Sequence, residues 1–236
     1  MKKIAYILLL YLPLFCYSQK SGNEYSSWNS LILDYHINDH FYIKNEAHFR
    51  RTNYLSNWQQ ILIRPSIHYQ LNNEVDLATG YSYARNYNSA KDFDENNLWQ
   101  QVLLSHKSSI LKFKHRFRYE ERFIEQVQLV SPGIYHSNGI HFSTRFRYRF
   151  TFSLPLLKVT DHKKIGFTAF DEIWLNTDKG IVPKSLNQNW LYAGLTYPIL
   201  KKGKLGIGFM SDYTTLTDAT HKTNTILQTT LNYHIN

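Results

Sequence analysis

Apolar and polar residues alternate with a period of two through nearly the whole chain. The clearest stretch sets Phe142, Thr144, Phe146, Tyr148, Phe150 and Phe152 against Ser143, Arg145, Arg147, Arg149 and Thr151. A helix would scatter those arginines around its circumference, whereas a strand puts them on one face. The same rhythm runs through residues 31–37, 41–51, 58–71, 75–85, 98–106, 110–123, 140–154, 165–175, 190–197, 205–213 and 225–235. These eleven segments predict eleven strands and essentially no helix.

The connections alternate as well. Short turns at 38–40, 72–74 and 107–109 take turns with longer polar stretches at 86–96, 124–139, 176–189 and 214–224. Outer-membrane barrels have this asymmetry, with short periplasmic turns and longer extracellular loops. Weak repeats mark the strand ends: Tyr35-His36-Ile37-Asn38, Tyr69-Gln70-Leu71-Asn72 and Tyr233-His234-Ile235-Asn236 close strands, and Trp58-Gln59-Gln60 and Trp99-Gln100-Gln101 begin them. Tyr and Trp at strand ends suit the interfacial aromatic girdles of a membrane barrel. A soluble β-sandwich also buries one face of each strand. Strand length, loop asymmetry and aromatic ends favour the barrel, and closure removes the edges that so many strands would expose. The expected fold is therefore all-β, a closed antiparallel transmembrane β-barrel.

Strand number needs a second step. Bacterial single-chain barrels have an even count, and the segment around 28–37 already descends. A short ascending strand within 20–27 would restore parity. Twelve strands are expected, with ten as the alternative.

Composition changes this picture little, and the N-terminus changes it more. Aromatic residues reach 16%, mean hydropathy is −0.43, and no apolar run long enough for a membrane helix follows the first fifteen positions. Met1-Lys2-Lys3 is a basic leader to the apolar run 4–15, and Cys16-Tyr17-Ser18 offers a cleavage site before Gln19. Residues 1–18 read as a signal peptide and 19–236 as the barrel. Cys16 invites a lipoprotein reading, but bulky Phe15 sits where such signals want a small residue. Removal of 1–18 takes away Lys2, Lys3 and the single cysteine, lowering the formal charge from +9 to +7. Disulfide scaffolds and thiolate zinc sites are then excluded. Lys and Arg outnumber Asp and Glu by 27 to 18, which would ordinarily suggest nucleic acid. Export argues against that partner and for outer-membrane lipid, in a Gram-negative-type bacterium.

Several segments together point to a family. Arg116-Phe117-Arg118-Tyr119-Glu120-Glu121-Arg122 followed by Arg145-Phe146-Arg147-Tyr148 resembles the uncharacterised outer-membrane β-barrels called domain of unknown function 2490. Asp171-Glu172-Ile173-Trp174-Leu175-Asn176 and Gly194-Leu195-Thr196-Tyr197 are similar to its later strands. The resemblance runs from about Trp28 onward. It implies the barrel and its location, and carries no activity to transfer.

Candidate chemistry lies on the inward face. Lys112, Lys114, Arg116, Arg118 and Arg122 on one strand and Arg145, Arg147 and Arg149 on the next form a basic wall, with His141 and Glu120 on the same face. Candidate counter-charges are Glu46, Glu120 and Glu172, with Asp34, Asp76 and Asp212 sharing inward parity. Two readings follow. Paired ions could fill and close the lumen, because buried charges persist only when paired and hydrogen-bonded. Alternatively, excess positive charge could make an anion-preferring binding or permeation module for a small anionic solute.

An enzyme is the third reading. His141-Phe142-Ser143 resembles the catalytic strand of the outer-membrane lipid A deacylase family, with Glu172 or Glu125 to orient the histidine. Loop acids Asp92, Asp94 and Glu95 with His221 could imitate a protease rim, although they read more simply as solvated charges. The histidines show no ligand spacing and there is no glycine-rich phosphate loop, so neither metal nor cofactor is expected. The reading preferred here is a non-enzymatic binding or permeation barrel.

Overall fold

A computed structural model describes residues 21–160, 163–178, 186–199, 201–217 and 220–235; the expected signal peptide lies outside these. Among the described residues the chain forms eleven strands: β1 (Ser21–His36), β2 (Phe41–Thr52), β3 (Asn57–Gln70), β4 (Val75–Asn86), β5 (Phe93–Ser108), β6 (Leu111–Ser131), β7 (Ile134–Thr160), β8 (Lys163–Asn176), β9 (Leu186–Ile199), β10 (Gly203–Thr217) and β11 (Thr220–His234). Each pairs with its sequence neighbours, and β1 pairs with β11 to close the barrel.

The count corrects the expectation of twelve or ten. Residues 21–27 do not form a separate ascending strand; they are the first part of β1. An odd up-and-down series brings its first and last strands together pointing the same way. The β1–β11 seam is accordingly parallel, from Ser21 opposite His221 to Asp34 opposite His234. Parallel ladders are slightly weaker per residue, but closure leaves no edge open.

The loops differ too. Residues 124–139 are not a loop: β6 and β7 continue through them as a ribbon that overhangs the barrel and turns at Gly133, where φ is +77°. Gly139, at φ +82°, sits where the register slips between Glu125 and Val127, a position that needs left-handed backbone. Likewise β10 and β11 run through most of 214–224, leaving only two residues between them.

The repeated Tyr-x-x-Asn segments have a local cause. The Asn38 side chain accepts from the amides of His40 (2.9 Å) and Phe41 (2.8 Å), and Asn72 does the same for Glu74 (2.8 Å) and Val75 (2.9 Å). Each asparagine mimics a backbone turn and fixes its hairpin.

Alternation sorts the side chains. Leu98, Leu191, Leu195, Ile207 and Phe209 point outward and are exposed, while Met210, Ile226, Glu120 and Glu172 point inward and are almost completely buried. Of the strand-end residues expected at an aromatic girdle, Tyr35 and Trp58 are exposed but Trp99 is not. Trp28, Trp99, Trp174 and Trp190 are all buried in the lumen, and Trp58 alone is exposed. The lumen is thus two-sided. Trp28, Phe170, Trp174, Trp190, Tyr192, Met210 and Ile226 make an apolar cluster along β8–β11 and β1, and the buried ions stand on β2–β7, with Glu172 on β8 and Asp212 on β10.

A charged septum as candidate functional site

Strand register builds the septum. β6 and β7 set Arg116 opposite Arg149, Arg118 opposite Arg147 and Glu120 opposite Arg145. β8 adds Glu172 beside Arg149 and Trp174 beside Arg147. Two carboxylates organise the arginines. Glu120 accepts from Arg145 Nε (2.8 Å) and Arg147 Nη1 (2.7 Å). Glu172 accepts from Arg147 Nε (2.9 Å), Arg149 Nε (2.8 Å) and Arg116 Nη2 (2.5 Å). Arg147 bridges the two acids.

Neighbouring guanidinium groups repel, so each needs an acceptor at its edge and a neutral surface at its face. Arg122 places a fork on Glu95 (2.8 and 2.9 Å), and Arg118 places one on the amide oxygen of Gln101 (3.1 and 2.8 Å). The faces lie on rings: Arg147 over Trp174 at 3.6 Å, Arg118 over Trp99 at 4.0 Å and Arg149 over Phe170 at 4.0 Å. The ring of Trp99 covers Gly80, where a Cβ would collide with it.

The facing wall comes from β1–β4. Glu46 meets His48 at 2.9 Å and Arg64 at 3.5 Å, and Arg64 Nε donates to Ser82 at 2.9 Å. Arg50 lies over Trp28 at 3.9 Å, with no described carboxylate at salt-bridge distance. Counting the ring, Arg50, Arg64, Arg116, Arg118, Arg122, Arg145, Arg147 and Arg149 face Glu46, Glu95, Glu120, Glu172 and Asp212. Eight bases against five acids leave positive charge over. Cavities of about 450 Å³ on the long-loop side and about 340 Å³ on the short-turn side share Trp28, Arg50, Arg64, Trp174 and Trp190 as their common wall.

Not every anticipated residue joins this cluster. Lys112 and Lys114 are exposed toward the short-turn end, as the register of β6 dictates. Asp34 pairs with Lys44 (3.6 Å), and Asp76 with His68 (2.8 Å), both below the septum. Glu95 is not a solvated loop charge: it lies in β5, 8% exposed, on Arg122. Asp92 and Asp94 pair instead with Arg85, and His221 stacks on Tyr213, so no acid–histidine rim assembles. Arg50, Arg64, Gln101 and the four luminal tryptophans escaped the sequence reading. Their parity was visible, since Trp174 follows Glu172 by two and Arg64 precedes Ser66 and His68 on one face.

The candidate dyad separates. His141 is exposed at the rim, and the Ser143 hydroxyl donates to Asp178 at 2.9 Å instead. Burial works against the Asp178 carboxylate, but the Thr144 amide and the Ser143 and Thr144 hydroxyls outweigh it and hold its pKa below the usual range. A serine engaged this way is a loop clasp. Ser143→Ala should leave lipid hydrolysis at background, as in the wild type; fatty-acid release by the wild type that this change abolishes would reinstate the enzyme.

Fold and septum together define a closed β-barrel with an apolar exterior and an ion-paired interior. The model of a family described as a protein of unknown function, DUF2490, matches residues 25–225, and the chain belongs to that family. No curated protein matches it. Among solved structures it is similar to one titled "NanC porin structure in rhombohedral crystal form", at 10% identity and a TM-score of 0.45, over 80% of this chain and 86% of that one.

Proposed function

We propose that the protein is an outer-membrane barrel that binds and passes small anions. An outward apolar face on a closed barrel suits hydrocarbon, where every backbone polar group must be satisfied internally. The observation that carries the anion reading is the uncompensated septum: eight arginines to five carboxylates, with no carboxylate among the described residues at salt-bridge distance from Arg50, which stands between two cavities. Rings of Arg select anions because entering anions trade hydration for fixed donors. Apparent closure by Arg–Glu pairs is compatible with transit, since excess donors offer an anion a partner at each step.

Purified barrel in a planar bilayer under a salt gradient should give a reversal potential of the sign set by anions. Replacing Arg118 and Arg147 together with Gln should reduce that preference. Cation-selective current, or an intact barrel that carries none, would defeat the permeation reading.

A further inference from the structure

Among the described residues the edge of Arg50 makes no hydrogen bond; Arg116 also has a buried Nε without a partner, but it donates through Nη2 to Glu172. In Arg122, Arg145 and Arg149 the Nε–Nη2 edge grips a carboxylate, and in Arg118 it grips the Gln101 amide. Arg50 has the same stacked geometry, on Trp28, yet its buried Nε has no hydrogen-bond partner. Stacking consumes a guanidinium's face and leaves its edge free. A buried donor without a partner is costly, and an arriving carboxylate would relieve it.

The rest of the long-loop cavity is not built for a bare anion. Its walls carry primary amides: Gln60 donates to Asn86 at 2.6 Å, which leaves the Asn86 Nδ2 without a partner, and Gln188 donates to Thr214 at 3.1 Å. Asp212, which accepts from Thr214 at 3.1 Å, adds a carboxylate on the same wall. The edges and faces of Trp174 and Trp190, 4.3 Å apart between ring centres, supply flat apolar surface. Toward the rim, a cavity of about 760 Å³ continues the pattern with Trp58 and Tyr87, and it shares Gln59 and Asn86 with the inner one.

Each simpler ligand leaves part of this lining idle. An inorganic anion would answer Arg50 but not the amides or indoles. An apolar carboxylate would strip the amides of water without replacing it. A neutral sugar would satisfy the amides and Asp212 with its hydroxyls but leave Arg50 unpaired. Resting on the anion reading above, we infer that the long-loop cavity binds a hydroxylated ring carboxylate, the chemistry of a sugar acid. Its carboxylate meets the free edge of Arg50, its hydroxyls meet Gln60, Asn86 and Asp212, and its carbon face packs on the indoles. A cavity of about 450 Å³ has the size of a small-ligand site.

Titration of the folded, detergent-solubilised barrel with glucuronate, followed by tryptophan fluorescence, tests this against glucose and acetate as comparators. Glucuronate should bind at least tenfold more tightly than either, about 1.4 kcal/mol. Arg50→Gln should bring glucuronate down to the level of glucose. Gln60→Ala, which leaves every charge in place, should weaken glucuronate several-fold and leave acetate unchanged. Glucuronate binding no tighter than acetate, in a barrel that still selects anions, would overturn the sugar-acid inference alone. Loss of both anion binding and anion selectivity would remove the reading it rests on as well.

Discussion

Glu172→Gln should destabilise the barrel by about 3–5 kcal/mol, the cost of leaving buried charge unpaired. One carboxylate, with no exposed surface, holds Arg116, Arg147 and Arg149. An amide keeps its shape but presents one acceptor oxygen and an NH2 group aimed at a guanidinium. Arg149→Gln should cost much less, because Glu172 keeps two partners. The temperature at which the compact gel form converts to the unfolded form gives the order of the two variants. A Glu172→Gln protein as heat-resistant as wild type would mean that the acid does not organise the septum.

Assembly should fail in a second variant, Phe209→Arg, through the opposite face. Phe209 is 63% exposed on the outside of β10, while its neighbour Met210 is 1% exposed inside. Arginine facing lipid near the midplane costs roughly 2–4 kcal/mol, falling toward zero at the interfaces. Unheated and boiled samples should therefore migrate alike for Phe209→Arg and differently for wild type and Phe209→Leu. Equal folding of both variants, or a wild-type monomer that stays soluble without detergent, would place water outside the barrel rather than lipid.

The basic wall was legible because a period of two needs no tertiary information: Arg145, Arg147 and Arg149 share a face in any strand. Strand positions followed for the same reason. Closure did not follow, because local alternation says nothing about which strand β1 meets, and parity was completed with an ascending strand that the chain does not make. The 124–139 stretch read as a loop through its polar residues and glycines, yet a two-stranded ribbon beyond the barrel has water on both faces and needs no apolar face. Trp99 misled for a physical reason, while Trp58 is exposed as expected. Indoles suit interfaces in general, but here the guanidinium faces of Arg147 and Arg118 require aromatic surfaces inside. Pairing Glu95 with Arg122 rather than with solvent depends on register, which only the assembled sheet supplies.

The parallel seam also bears on the order of assembly. Every other ladder joins neighbours along the chain, so hairpins can form one after another with small loops to close. Ser21 and His221, by contrast, meet only after the whole intervening chain has been gathered. Loop-closure entropy grows slowly with length, but contacts of such wide separation are rewarded only when nearly everything between them is in place. The seam should thus be the last ladder to form. A mutation there would slow completion while leaving the early hairpins at their normal rate, trapping an open sheet whose two unpaired edges are free to meet another chain.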